Sequence, residues 1–410
     1  MDQCIVTKPS LLTISIVLIF LCGTIQPEFI LVVQVILLLF AARRIKVKKS
    51  FFMVMLLLVL HSVVCILMGA NTAFLALKQI VGITISYVFY RTSVNNKSNA
   101  MKALIVYKKL ATIIAAFAVI QQVAFYAHIN IIYDLRWIVK GQLAPANSLY
   151  RASTFFQEPS ECALILLPMV FLALYSFWGK SKQLLSSFMS TTEAIILLLG
   201  FLATFSSAGY IGVFIGVVFI WLEYKHSPKK IIVFLLGIAG FIFAYTKIGD
   251  FSERINDTLA LISDESRNLS TANISSQTII INMRIAIKSF LNSWGLGSGI
   301  GSHPISYERF INGLPVSKVI YFFNKEDANS LLLRIISELG VMGITGVVAF
   351  LLHFWPKQSN SFERIIGAMN VSYFLLRLLR YGHYFNNGMW FFIVLFILMT
   401  KEEEGNNYVS

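Results

Sequence analysis

Apolar runs recur from one end of this chain to the other, broken by short polar stretches. They cover residues 10–25, 28–42, 51–69, 73–90, 110–130, 160–178, 188–205, 209–224, 231–247, 330–354, 363–381 and 388–400. A helix crossing a bilayer takes about 20 apolar residues, fewer where it is short or shielded, so the pattern predicts about twelve spanning helices. Because such runs continue to the far end, the first reads as a retained span and not a cleaved leader. Basic stretches ("RRIKVKK" at 43–49, "RTSVNNKSNAMK" at 91–102, "GKSKQ" at 179–183, "EYKHSPKK" at 223–230, "PKQSNSFER" at 356–364) alternate with long or poorly basic ones. Lysine and arginine accumulate on the cytoplasmic side, which puts both termini there and leaves 131–159 and 248–329 on the other side. The expected organisation is a single polytopic membrane domain over 1–410 with these two outward loops. Within the larger loop, 263–277 reads as flexible and 278–303 as ordered. "TIIINMRIAIKSFLNSW" repeats apolar residues at helical spacing (Ile280, Met283, Ile287, Phe290, Leu291) and stops at Gly295.

Composition agrees with an all-α integral membrane protein. Charged residues make up 13% of the chain and hydrophobic ones 57%, with a mean hydropathy of +0.73; a soluble domain carries about 25% charge. The net charge of +14 is accounted for by the basic cytoplasmic loops, and no aromatic-and-basic module is present to bind nucleic acid. Cys4, Cys22, Cys65 and Cys162 show no spacing that suggests a disulfide framework or metal site. There is no P-loop, GxSxG elbow, HExxH helix or acidic calcium loop, so ATP-driven transport by this chain alone is disfavoured. No cofactor is expected.

The charges inside apolar runs carry the remaining information. "EDANSLLLRIISELGVMG" at 326–343 holds Arg334 and Glu338 four residues apart, on one helix face where they can pair. A charge at mid-membrane costs about 2.5–3.5 kcal/mol on insertion scales, so the two either lock helices together or serve a site. Gly340 and Gly343 suit close helix contact. Arg377 and Arg380 lie at the outward end of their span, against the positive-inside bias; they either snorkel or form an inward cationic site for an anionic headgroup. Lys78 has no evident partner. In the first outward loop, Arg151 and Glu158 precede a helix start marked by Pro159, Ser160 and Glu161; the second adds Arg254 and Arg284. The planar, permanently charged fork of arginine suits a diphosphate.

Five segments in order, "RASTFFQEPSECALILL", "LATFSSAGYIGVFIGVVFIWL", "MRIAIKSFLNSWGLGSGIG", "EDANSLLLRIISELGVMGITGVVAFLL" and "LLRYGHYFNNGMWFFIVLFIL", resemble the O-antigen polymerase and ligase superfamily of bacterial inner membranes over roughly 150–400. The ligase branch carries His, then Asn, Ser or Gln, nine residues, Gly, two residues, and Gly or similar. Here Ser330, Leu331 to Leu339, Gly340 and Gly343 match, while Asn329 stands at the histidine position. That departure points to the Wzy-type polymerases.

The resemblance implies a GT-C-like bundle with a large periplasmic loop and a periplasmic site. It implies a metal-independent, inverting glycosyltransferase that joins oligosaccharide repeat units carried on undecaprenyl diphosphate and releases undecaprenyl diphosphate. Its partners would be those lipid-linked oligosaccharides, membrane lipid, a chain-length regulator and a flippase. Arg151 and Arg284, at positions that match the superfamily's outward arginines, would hold the diphosphate, and the residue chemistry adds Arg254 and Arg380 as secondary candidates. Glu158 would orient Arg151 or act as base, Asn329 would hydrogen-bond sugar or phosphate, Asp327 is a weaker base candidate, and His383 joins the glycan-binding set. Arg334–Glu338 would anchor the helix below the site. Two other readings stay open: a ligase of the same superfamily, disfavoured by Asn329, and a non-enzymatic flippase or transporter. The latter predicts inverted repeats, whereas here arginines and loop mass gather on one side.

Overall fold

Every one of the twelve apolar runs is helical. The computed structural model describes residues 10–45, 47–144, 150–222, 229–247, 249–263, 272–314, 321–355, 361–386, 388–400 and 408–409. Among them the α-helices are α1 (Leu11–Leu21), α2 (Pro27–Phe40), α3 (Lys49–Leu67), α4 (Ala73–Ser93), α5 (Lys97–Tyr126), α6 (Asn130–Tyr133), α7 (Pro159–Trp178) and α8 (Thr191–Ala203). They continue with α9 (Ser207–Leu222), α10 (Lys229–Lys247), α11 (Gly249–Ser263), α12 (Ile274–Asn292), α13 (His303–Ile311), α14 (Leu331–His353), α15 (Phe362–Leu379) and α16 (Met389–Thr400). Two-residue strands, β1 (Val47–Lys48) and β2 (Tyr408–Val409), pair antiparallel. Five helices, α3, α4, α5, α7 and α14, are long and apolar enough to cross a membrane, and several shorter ones are apolar throughout. The protein is all-helical and membrane-embedded.

Local chemistry sets the helix starts. Ser10, Thr72, Asn96, Ser330 and Ser361 each accept a backbone N–H of the first turn, and Ser190 forms a capping box with Glu193. Pro159 opens α7 where its missing N–H is harmless. The cap position there is Glu158, and the Ser160 hydroxyl donates to that carboxylate at 2.8 Å instead of capping.

Helix α7 is the hub, buried over 78% of its apolar window and packed against α8, α9 and α15; α3, at 17%, lies on the periphery. Between apolar helices in lipid, close backbone approach and dispersion drive association. Gly209, Gly212 and Gly216 of α9 accordingly face Ala163, Leu167 and Phe171 of α7, and a side chain at Gly200 of α8 would collide with the backbone of Ala115 in α5. Lys78 pairs with Glu28 of α2 at 3.2 Å.

The segment read from sequence as the larger outward loop is mostly helical among the described residues. α11, α12 and α13 close around a small core of their own: Leu261, Ile280, Ile281, Ile285, Tyr307 and Ile311. As expected, α12 ends just before Gly295. Of the stretch read as flexible, 264–271 lies outside the described residues, and 274–277 is already helix, because Asn273 caps it.

Gly340 overturns the reading of the 340/343 pair as helix-packing glycines. At φ 55°, ψ −140° it breaks α14, in a region of backbone space that is essentially glycine's alone. Residues 295–301 fill the break. Ser298 N–H donates to the Ser337 carbonyl (3.1 Å), Gly299 N–H to the Glu338 carbonyl (2.8 Å), and Val341 N–H to the Gly295 carbonyl (2.9 Å). These bonds satisfy groups that a broken helix would otherwise strand in a dry interior. The filling loop is held from outside by His61 on the Leu296 carbonyl (3.0 Å) and by Asn71 Nδ2 donating to the Ile300 carbonyl (2.9 Å).

Candidate functional site

Segments distant in sequence converge at one end of the bundle: the loop before α7, the loop before α14, the glycine-rich loop and the turn between α15 and α16. The floor is the Arg334–Glu338 pair. Nε of Arg334 donates to Glu338 Oε1 at 2.8 Å, with both side chains buried. Glu338 also accepts from the N–H of Gly301 (2.7 Å) and of His303 (3.3 Å) and from the Tyr384 hydroxyl (2.9 Å). Arg334 donates Nη1 to the Gly382 carbonyl (3.0 Å) and lies 4.4 Å from the Tyr384 ring centroid. A buried ion pair offsets its desolvation only when its remaining donors and acceptors are satisfied. Here the pair clamps three segments, which places it as scaffold.

Beside it, His303 is wholly buried between Ser337 Oγ (3.1 Å) and Asn282 Oδ1 (3.0 Å). Burial, reinforced by Arg334 and opposed by Asp327, pulls its imidazole down to about 3. It is therefore a neutral bridge from α13 to α12 and α14.

Above the floor, the 324–330 segment meets the 380–384 turn. A Cβ on Gly382 would run into the Asp327 carbonyl, so the contact exists because residue 382 is glycine. Ser330 Oγ donates to the Leu378 carbonyl at 2.7 Å, and Arg377 Nη2 to the His383 carbonyl at 2.8 Å. Asp327 Oδ1 accepts from Asn324 Nδ2 (2.9 Å) and the Asn329 N–H (3.1 Å); Oδ2 faces His383 Nε2 at 3.6 Å. Burial holds His383 below its ordinary value, with Arg334 and Arg377 acting the same way and Asp327 and Glu28 opposing.

Of the residues singled out from sequence, Glu158, Asp327, Asn329, Arg380 and His383 come together here. Tyr381 links the two halves, with Ser160, Arg380, Glu161 and Glu158 around its hydroxyl. Arg380 caps α15. Arg151 lies beside Tyr210 of α9, with its Nε buried and lacking a hydrogen-bond partner. Arg284 donates to the Leu261 carbonyl at 3.0 Å, tying α12 to α11. Arg254 is in α11, but its side chain lies outside the described residues.

Three participants, His303, Asn282 and Tyr384, carried too little signal in the sequence, whereas Arg377 was conspicuous there. Arg377 does not snorkel: it is fully buried, and its Nε and Nη1 lack hydrogen-bond partners. His303 and Asn282 look like ordinary loop and helix residues, and only their meeting through Ser337 reveals a network. Tyr384 could have been suspected from its place in the same short turn as His383. Comparison with protein-family models, with curated proteins and with solved structures finds no match for this chain.

Proposed function

We propose that this chain is a surface-polysaccharide polymerase of the bacterial inner membrane, joining repeat units carried on undecaprenyl diphosphate at the periplasmic face. In this reading some twelve helices span the bilayer, and the α15–α16 turn and the α11–α13 unit face the periplasm. The observation that carries it is the convergence, at one end of a membrane bundle, of cationic, carboxylate and imidazole side chains from three distant segments: Glu158, Asp327 and Arg377 to His383. A departing diphosphate gains negative charge, and fixed cations in a water-poor setting stabilise such charge strongly. Arg377, bonded to the His383 carbonyl, and Arg380, beside Tyr381, supply that charge. Arg151 adds a guanidinium with an uncommitted donor, and Arg284 joins from the α11–α13 unit as a second-rank candidate. Asn329, at the mouth of α14, offers its amide to sugar hydroxyls.

The test is complementation of a strain deleted for this gene, reading lipopolysaccharide on a silver-stained gel with membrane abundance checked by immunoblot. The unaltered protein restores a ladder, and Arg380→Ala at normal abundance collapses it to core plus one repeat. A deletion strain that lacks even the one-repeat band counts against polymerisation and for ligation or flipping.

A further inference from the structure

The 324–330 segment and the 380–384 turn are strained where they touch. Asn324, Ala328 and Asn329 on one side and Tyr381 on the other have φ of 55°, 58°, 56° and 66°. Left-handed backbone in non-glycine residues costs free energy, most notably for a bulky residue such as Tyr381, and gathers where geometry is held for a purpose. What the strain holds is a carboxylate with one oxygen committed to its own loop and the other turned to His383. Oδ1 of Asp327 has two donors, Oδ2 has only His383, and the Asp327 side chain is 12% exposed against 40% for His383. A fixed, shielded carboxylate behind a reachable imidazole is the arrangement that orients a histidine for proton transfer.

We propose that His383 is the general base of the transfer reaction and that Asp327 is its positioning residue. This rests on the polymerase reading above. With the proton of neutral His383 on Nε2, facing Asp327, Nδ1 is left to accept. The acceptor sugar's hydroxyl oxygen attacks the donor's anomeric carbon while its proton passes to Nδ1. A new C–O bond forms, the bond from the anomeric carbon to the phosphate oxygen breaks, and its electron pair leaves with the polyprenyl diphosphate. Asp327 stabilises the imidazolium until it loses its proton to water on the exposed side. The 3.6 Å separation exceeds a hydrogen bond; in unliganded sites such contacts are commonly long and tighten around substrate. Glu158 serves this role less well, since it is exposed and already accepts from Ser160.

The charged groups facing His383 are Asp327, Arg334, Arg377 and Glu28, the last paired with Lys78. Burial and the two arginines outweigh the two carboxylates and leave the imidazole neutral near pH 7, as a base requires. Removing Asp327's charge lowers its proton affinity further.

The experiment uses purified full-length protein and, as probe, the polyprenyl-diphosphate-linked repeat unit extracted from the deletion strain, with elongation followed against pH. His383→Gln is expected to lower kcat by about 10²–10⁴-fold while staying monodisperse with an unchanged melting temperature. Asp327→Asn is expected to lower kcat and to move the acid limb of the kcat/KM profile to lower pH, a shift that a merely structural role does not produce. If the unaltered protein elongates and His383→Gln matches it in rate and pH profile, the base assignment is overturned and the polymerase reading stands. If Asp327→Asn lowers the rate with its acid limb unmoved, the positioning role is overturned. No elongation by the unaltered protein overturns both.

Discussion

Replacing Gly340 by alanine tests the broken-helix architecture directly. The residue's φ and ψ lie where a Cβ costs about 1–3 kcal/mol in strain. That Cβ would also collide with the Gly295 carbonyl oxygen and sit 2.6 Å from the Leu296 carbonyl carbon and 2.7 Å from the Gly297 nitrogen. Since these are backbone atoms, the loop itself must retreat. Retreat loosens the bonds from Ser298, Gly299 and to Gly295 across the break, each contributing about 0.5–1.5 kcal/mol net. The sum is about 2.5–7.5 kcal/mol, a large share of the roughly 5–15 kcal/mol that holds a folded domain. Gly346, six residues on in the same helix, stands in open space: a Cβ added there would meet no atom within 4 Å. Alanine at that position is expected to be neutral or stabilising by up to about 1 kcal/mol. Melting of the two variants in one detergent, followed by size-exclusion chromatography after heating, gives the comparison. Gly340→Ala is expected to melt at least about 5 °C below the unaltered protein and Gly346→Ala at or above it. Equal melting of Gly340→Ala and the unaltered protein would refute the inserted loop.

Two further outcomes follow from the buried network. His303 is held neutral down to about pH 3 while an unfolded histidine takes its proton near 6.5, so below 6.5 the unfolded state binds more protons. Its contribution is therefore whole above pH 6.5 and is lost as pH falls toward 3, by about 2 kcal/mol at pH 5; His303→Gln is expected to flatten that part of a melting-temperature profile, and an unchanged slope would count against the buried neutral bridge. Glu338→Gln leaves Arg334 buried without its counter-charge and is expected to cost about 3–5 kcal/mol in the same melting assay; an unchanged melting temperature would count against the buried pair.

How much could be read from sequence depended on the range of the interaction. Apolar runs and caps act within a turn or two, so the twelve helical segments and the stop of α12 before Gly295 were legible. Arg334 and Glu338 could be paired because four residues is one helical turn. The break at Gly340 could not be seen, because the residues on both sides are good helix formers and the cause is a loop from residues 295–301. Likewise, Asp327 and His383 were separately conspicuous, but no periodicity links them; their meeting depends on the missing side chain of Gly382. The two arginines given first rank, Arg151 and Arg284, were chosen for their loop positions, and the structure ties them to Tyr210 and Leu261 rather than to the Asp327–His383 contact.

The loop seated in α14 also imposes an order of assembly. Residues 295–301 leave the ribosome before the two halves of α14, so the N–H groups of Ser298 and Gly299 and the carbonyl of Gly295 wait for Ser337, Glu338 and Val341 to be made. Conversely, α14 enters the membrane with an interrupted hydrogen-bond ladder that only this earlier loop can complete. The loop that follows α12 and the two halves of α14 thus complete their backbone bonding only together, once residue 341 has been made.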